Sequence, residues 1–379
     1  MKYYLIAGEF SGDIHASNLM KCLKKEDKNA DFRFIGGDKM LEQGGSMLKH
    51  YKEMAFMGFW EVAKRLRTIK KNMEMCKNDI LDFQPDVVIL VDYPGFNLRI
   101  AEFTHIQNLK TVYYISPKIW AWKKARVKKI KRFIDKMFVI FPFEVDFYKQ
   151  YDYQTVYLGN PTLDIVKNEL EKDFDSTHFK TENNLPEQRE IIALLPGSRL
   201  QEVEKILPEM IEVAKHFKDY QFVIAGVNNL PADIYKTATD IENISVIFDK
   251  TYDLFRISKA AVVTSGTATL ETALFKVPQV VCYKTSKLSY TIGKAVVKIK
   301  WFSLVNILLQ KESVKELLQK NLANEIINEL DKILHNDEYQ KKIQDDYNQL
   351  EKLLGEKGSP CKTAKNLVEF LSYTRMFAK

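Results

Sequence analysis

Histidine is scarce: six residues in 379, none clustered, which disfavours a histidine-built metal centre. The four cysteines, Cys22, Cys76, Cys282 and Cys361, stand far apart. They lack metal-ligand spacing and read as reduced, mostly buried thiols. No apolar run approaches the length that crosses a bilayer. Tyr3 to Ala7 is too short for a signal-peptide core and reads as the first strand of a cytoplasmic protein. Internal repeats, low-complexity tracts and GxGxxG are also missing, as are helix-turn-helix, RRM and zinc-finger patterns. Together these absences disfavour metal catalysis, a dinucleotide cofactor, a membrane span and a nucleic-acid partner.

What the chain does contain suits a soluble globular protein: 46% hydrophobic and 28% charged residues, with room for two domains. The net charge of +7 is concentrated. Lys118, Lys123, Lys124, Arg126, Lys128, Lys129, Lys131 and Arg132 crowd beside Trp120 and Trp122. Such a segment suits an anionic membrane surface or a phosphorylated substrate better than nucleic acid, with a plain solvated helix face as the alternative.

Strand and helix alternate through the first half. Short β-branched or aromatic runs at Tyr3–Ala7, Phe32–Gly36, Val87–Val91, Thr111–Ile115, Lys136–Phe141 and Thr155–Leu158 are separated by amphipathic stretches such as Leu19–Leu23 and Ile69–Phe83. A polar segment from Lys167 to Arg189 follows. The alternation then restarts with Ile191–Leu195, Gln221–Ala225, Ile244–Phe248, Ala260–Thr264 and Gln279–Tyr283, and ends in helical periodicity from Val314 to Ala378. The order predicts an α/β protein of two Rossmann-like domains facing a cleft, residues 1–166 and 190–313. A helical tail, 314–379, is expected to pack back on the first domain or to exchange in a homodimer.

Four loops carry chemistry. After Ile191–Leu195 comes Pro196-Gly197-Ser198-Arg199 and then helical spacing. A strand that stops at glycine and opens a helix presents free N–H groups to an anion, and Arg199 adds a planar cation. After Ala260–Thr264 comes Ser265-Gly266-Thr267-Ala268-Thr269-Leu270-Glu271, small and hydroxyl-rich. Both loops fall at the carboxyl edge of one parallel sheet and look like a nucleotide diphosphate site. After Tyr3–Ala7 stands Gly8-Glu9-Phe10-Ser11-Gly12-Asp13, which suits sugar hydroxyls or an acceptor's polar edge better than a diphosphate. Ser11 and Asp13 also suit helix capping. Asp92, at the end of Val87–Val91 and before Pro94-Gly95, is placed for a general base, or else for a buried helix cap.

Taken together these motifs resemble lipid-A-disaccharide synthase, a nucleotide-sugar glycosyltransferase family of the GT-B architecture. The resemblance rests on Gly8 to Asp13, Met57-Gly58-Phe59-Trp60-Glu61-Val62, Asp92 to Asn97, Ser116-Pro117-Lys118-Ile119-Trp120-Ala121-Trp122, Pro142-Phe143-Glu144, Leu194 to Arg199, Ser265 to Glu271, and Ser303-Leu304-Val305-Asn306. Asn160 stands where many members have histidine. The resemblance implies an inverting hexosyltransferase that uses no cofactor. UDP-2,3-diacylglucosamine gives its sugar to the 6-hydroxyl of 2,3-diacylglucosamine 1-phosphate, forming a β-1,6 disaccharide and UDP. Asp92 would be the base and Arg199 would stabilise the departing diphosphate, while Gly197, Ser198, Arg199, Ser265, Gly266, Thr267, Glu271 and Asn306 would hold the UDP-sugar, Glu271 at the ribose. Gly8, Glu9, Ser11, Gly12, Asp13, Ser116, Trp120 and Trp122 would face the acceptor. Met57, Phe59 and Trp60, ahead of Lys64-Arg65-Leu66-Arg67, suit an acyl groove or peripheral contact with the inner face of the cytoplasmic membrane, with core packing as the alternative. The rival readings are a polyprenyl-linked sugar transferase, a UDP-N-acetylglucosamine 2-epimerase, and a non-catalytic UDP-sugar or lipid-binding protein.

Overall fold

The computed structural model describes residues 1–54, 66–121, 124–228, 230–284, 300–319 and 321–377. Met57, Phe59, Trp60 and Trp122 therefore lie outside the described residues. The chain divides into two units: Met1–Pro161 together with Glu356–Lys379, and Thr162–Gly355.

The first unit is built on seven parallel strands: β1 (Lys2–Ala7), β2 (Asp31–Gly36), β3 (Ser46–His50), β4 (Val87–Val91), β5 (Thr111–Tyr114), β6 (Lys136–Val139) and β7 (Val156–Tyr157), in the order β3-β2-β1-β4-β5-β6-β7. Strand side chains alternate between faces. Tyr3, Leu5 and Ala7 pack with Leu19 and Leu23 of the helix Phe10–Glu26 and with Leu367 and Leu371 of Ser359–Phe377. Tyr4 and Ile6 pack on the other face with Cys76, Ile80 and Ile100. Val87 to Val91 is buried throughout, as expected of a central strand with helices on both faces.

The second unit repeats the plan with β8 (Ile191–Leu195), β9 (Gln221–Gly226), β10 (Ile244–Phe248), β11 (Ser258–Thr264), β12 (Gln279–Tyr283) and β13 (Glu316–Leu318), ordered β10-β9-β8-β11-β12-β13. The amphipathic helix Leu200–His216 buries Val203, Ile206, Leu207 and Met210. The helices Leu322–His335 and Asp337–Leu354 also belong to this unit, so within the tail only Ser359–Phe377 lies in the first one. β3 and β13 are absent from the sequence reading. Both are short edge strands whose residues are mostly half-buried or exposed, so neither makes a continuous apolar run.

The four cysteines are not all reduced thiols. Cys76 and Cys282 are free and buried, but Cys22 and Cys361 form a disulfide joining the helices Phe10–Glu26 and Ser359–Phe377. Their sequence separation of 339 carries no signal. Only the final helix's packing against the first brings the sulfurs together.

Candidate active site

Both sheets reverse direction at one point. In the first, the chain builds outward from β1 to β3 and then restarts at β4 on β1's other side; in the second, β8 and β11 stand in the same relation. Parallel α/β sheets bind ligands outside the carboxyl ends of the two strands flanking such a switch. The loops after β1 and β4 therefore share one edge, and those after β8 and β11 share another. These are the four loops that the sequence singles out.

At the first edge β4 ends in two consecutive left-handed residues, Asp92 (φ 42°) and Tyr93 (φ 47°). Backbone of this kind outside glycine persists only where its surroundings hold it. Here they do so through the Asp92 carbonyl, which accepts from Asn97 Nδ2 at 2.8 Å and from the Tyr113 hydroxyl at 2.5 Å. The Tyr93 hydroxyl donates to the Met54 carbonyl at 3.2 Å. A Cβ on Gly8 would lie 2.4 Å from the Tyr93 ring, so the first loop can pass this ring only as glycine. The clamp acts on the Asp92 carbonyl and not on its carboxylate. Burial pushes its pKa up to about 6; the Lys118 ammonium and the Tyr93 N–H oppose the rise, and the Glu9 carboxylate adds to it.

The first loop divides its labour. Glu9 starts the helix Phe10–Glu26 without a side-chain cap bond, and Ser11 is exposed. Gly12 is buried against Ala7. Asp13 is committed elsewhere, since its oxygens accept from the N–H groups of Gly37, Lys39 and Met40 at 2.7, 3.1 and 3.2 Å. It thus caps the short helix Asp38–Leu41 from the neighbouring helix. After β5, Ser116 is buried and donates to Glu144 Oε1, while Glu144 Oε2 accepts from the N–H groups of Ile140 and Phe141. Burial lifts the Glu144 carboxyl to about 7 against these bonds. Trp120 packs edge-on to Phe143, ring centroids 5.0 Å apart. Asn160 is buried and donates to the Ile140 carbonyl, a tie within the fold.

At the second edge Gly197 takes φ +120°, and Arg199 precedes the helix Leu200–His216 in extended conformation. Its side chain is 54% exposed, with one long ion pair to Glu202 at 3.4 Å. Ser198, Gly266 and Thr267 are exposed, and nothing lies within 4 Å of a Cβ placed on Gly266. The Ser265 hydroxyl donates to the Phe302 carbonyl at 3.0 Å. Burial raises the Glu271 carboxyl, and Oε1 accepts from the Tyr252 hydroxyl at 2.8 Å. Tyr252 escaped the sequence reading; its signal is an aromatic at the start of the helix Thr251–Ile257, just past β10 on the same edge. Asn306 is bonded within its own unit. Its amide donates to the Val314 carbonyl and to Glu316, both at 2.8 Å, and accepts from the N–H groups of Ser313 and Val314. Every bonding direction of this fully buried side chain is used inside the unit.

Residues 3–370 match the family described as lipid-A-disaccharide synthetase. The chain belongs to that family. It is 37% identical to the lipid-A-disaccharide synthase of Trichlorobacter lovleyi, covering 94% of each chain, and 33% identical to that of Geobacter sulfurreducens, covering 97% of this chain and 96% of the relative. In fold it is similar to a UDP-GlcNAc 2-epimerase from Neisseria meningitidis solved with UDP-GlcNAc (TM-score 0.67, 14% identity, 98% and 100% coverage). It is likewise similar to the glycotransferase of kitacinnamycin (TM-score 0.66, 11% identity, 98% of each chain). The fold is α/β with two Rossmann-like units, as in GT-B glycosyltransferases. Membership makes the chain a glycosyltransferase of lipid A disaccharide synthesis and sets aside the epimerase, polyprenyl-transferase and binding-protein readings.

Proposed function

We propose that the first edge binds 2,3-diacylglucosamine 1-phosphate and the second binds UDP-2,3-diacylglucosamine, with Asp92 as the general base. The observation that carries this is the contrast in chemistry at the two switch points: a half-buried carboxylate on clamped backbone at one and an exposed arginine beside open backbone at the other. Asp92 takes the proton of the acceptor 6-hydroxyl as that oxygen attacks the anomeric carbon. The bond from this carbon to the β-phosphate oxygen breaks, and its electron pair leaves with UDP. Arg199 and the Gly197-Ser198 backbone stabilise the charge gained by the diphosphate. Glu271, with Oε1 held by Tyr252, offers its other oxygen to ribose hydroxyls. A base of pKa about 6 is ionised at neutral pH yet more basic than an ordinary aspartate.

The test is UDP release from UDP-2,3-diacylglucosamine with and without the acceptor. Release that requires the acceptor and yields disaccharide supports the assignment. Release without acceptor, or none with either, refutes it.

A second reading concerns location. In the helix Val127–Phe133, Val127, Ile130 and Phe133 are buried while Lys128, Lys129, Lys131 and Arg132 are exposed. No described helix is long and apolar enough to cross a membrane. This cationic face supports peripheral, salt-sensitive attachment to the inner face of the cytoplasmic membrane. Co-sedimentation with anionic vesicles at low ionic strength, lost at high, is the expected result; a protein soluble under both conditions overturns it.

A further inference from the structure

The turn after β5 holds one lysine in the open while Ser116, Pro117 and Ile119 beside it are buried. Ile115 is left-handed (φ 66°), a rare state for a β-branched residue. Ser116 is tied to the buried Glu144. The Ile119 N–H donates to the Pro117 carbonyl at 2.6 Å, and the Ala121 N–H to the Lys118 carbonyl at 3.3 Å. Pro117 and Ile119 are buried; Lys118, between them, is exposed and pairs with no carboxylate among the described residues. The turn's position relative to Asp92 is set by register. Val91 pairs with Tyr114, and the Asp92 N–H donates to the Tyr114 carbonyl at 3.4 Å. Lys118 thus rises from the strand next to Asp92, on the same sheet edge, and its charge is felt by the Asp92 carboxylate.

The acceptor is a sugar that carries its reacting hydroxyl at C6 and a phosphate at C1, across the same ring. A base that holds the hydroxyl therefore fixes the phosphate about one sugar ring away. We infer that Lys118 binds the acceptor's anomeric phosphate while Asp92 engages the 6-hydroxyl. This rests on the assignment of the acceptor to the first edge. A lysine is a compact point charge suited to a phosphate monoester, and a turn already fixed loses little freedom on binding. The same arrangement explains why an unpaired cation stands beside a base whose pKa it lowers: bound phosphate neutralises it and returns basicity to Asp92 as the acceptor arrives.

The experiment measures acceptor KM in neutral detergent micelles free of phospholipid, for the acceptor with and without its 1-phosphate. Wild type, Lys118→Met and Lys118→Arg are compared. With the phosphorylated acceptor, Lys118→Met should raise KM by about ten- to a hundredfold and leave the donor KM unchanged, with Lys118→Arg recovering most of the loss. Wild type should discriminate strongly against the unphosphorylated acceptor and Lys118→Met should not, which is the coupling that a double-mutant cycle isolates. Discrimination of wild-type size in Lys118→Met overturns the inference. If that occurs while Asp92→Asn is inactive, only the phosphate assignment falls. If wild type releases no UDP on acceptor addition, the underlying assignment falls instead.

Discussion

The two switch points share one topology but differ in strain and charge. In the loops after β1 and β4, left-handed backbone falls on Asp92 and Tyr93, and burial pushes the Asp92 carboxyl up. In the loops after β8 and β11 the left-handed residue is Gly197, and an exposed arginine stands there together with a carboxyl, Glu271, that burial also raises. On the proposed assignment this difference has a reason: a base gains from being desolvated and fixed, and Asn97 and Tyr113 hold the strained Asp92 in place. A diphosphate, proposed for the second edge, brings its own charge and needs donors and room, which Gly197 and the open space at Gly266 would supply.

The largest effect expected from this contrast is that of Asp92→Asn. Turnover should fall about 10²- to 10⁴-fold with UDP affinity unchanged. Stability should move the other way. The folded pKa of about 6 lies above the ordinary 3.8, so the native state binds the proton more tightly. The wild type therefore loses stability as pH rises from about 4 through 6 and does not regain it above. The variant escapes that cost and should be more stable by about 1–2 kcal/mol at pH 8, discounted for partial exposure, and by little near pH 4. Urea unfolding at the two pH values checks this. Wild-type activity should fall as pH drops through about 6.

Arg199→Met comes next. It should cost about 10²- to 10³-fold in turnover, weaken UDP, and barely change stability, because its ion pair is long and exposed. Calorimetric titration of UDP into both variants separates the edges: Asp92→Asn binds normally and Arg199→Met does not. A UDP affinity unaffected by Arg199→Met would end the assignment of the second edge.

Much of this was legible in the sequence because the signals are local. Eleven of the thirteen strands among the described residues appear as apolar runs, and all four loops follow from a strand ending at a glycine or an acid before a helix. The illegible part is long-range bookkeeping of hydrogen bonds. Asp13 sits in a glycine loop where a ligand role is natural, but its oxygens are spent on N–H groups 24 to 27 residues away. Asn306 likewise reads as a ligand from its motif, yet Glu316 and the Ser313-Val314 backbone consume it. The Asp13 partners lie far along the chain; those of Asn306 lie only 7 to 10 residues on, but no local pattern there announces that the segment folds back onto its amide. The Cys22–Cys361 bond is the extreme case, since no spacing rule reaches across 339 residues.

A smaller effect contrasts the edges through two glycines. Gly8→Ala places a methyl 2.4 Å from the Tyr93 ring, which is pinned at its hydroxyl and adjoins the base. The expected cost is about 1–3 kcal/mol together with roughly tenfold in turnover, one to two kcal/mol being a tenfold-scale change. Gly266→Ala meets nothing, so stability should hold or rise by about 0.4–1 kcal/mol while UDP binding weakens. Denaturation midpoints and UDP titrations of the pair check both halves. Equal destabilisation would mean that the second edge is as tightly packed as the first.

The smallest effect tests whether the second edge is open by design. Glu202 touches Arg199, and its Oε2 lies 2.7 Å from where a Cβ of Gly197 would stand. Its carboxylate therefore stands beside the Gly197 turn and, on the proposed assignment, would oppose a diphosphate bound there. Glu202→Gln keeps a hydrogen-bond acceptor for Arg199 but removes the charge. UDP should bind about two- to fivefold tighter, within the range of an exposed pair. The helix Leu200–His216 meanwhile loses a first-turn acid and about 0.3–1 kcal/mol of favourable dipole interaction. Tighter binding with lower stability identifies Glu202 as a placeholder for the anion. Weaker binding would instead make it the residue that aims Arg199, and the second edge would then depend on buttressed side chains as the first one does.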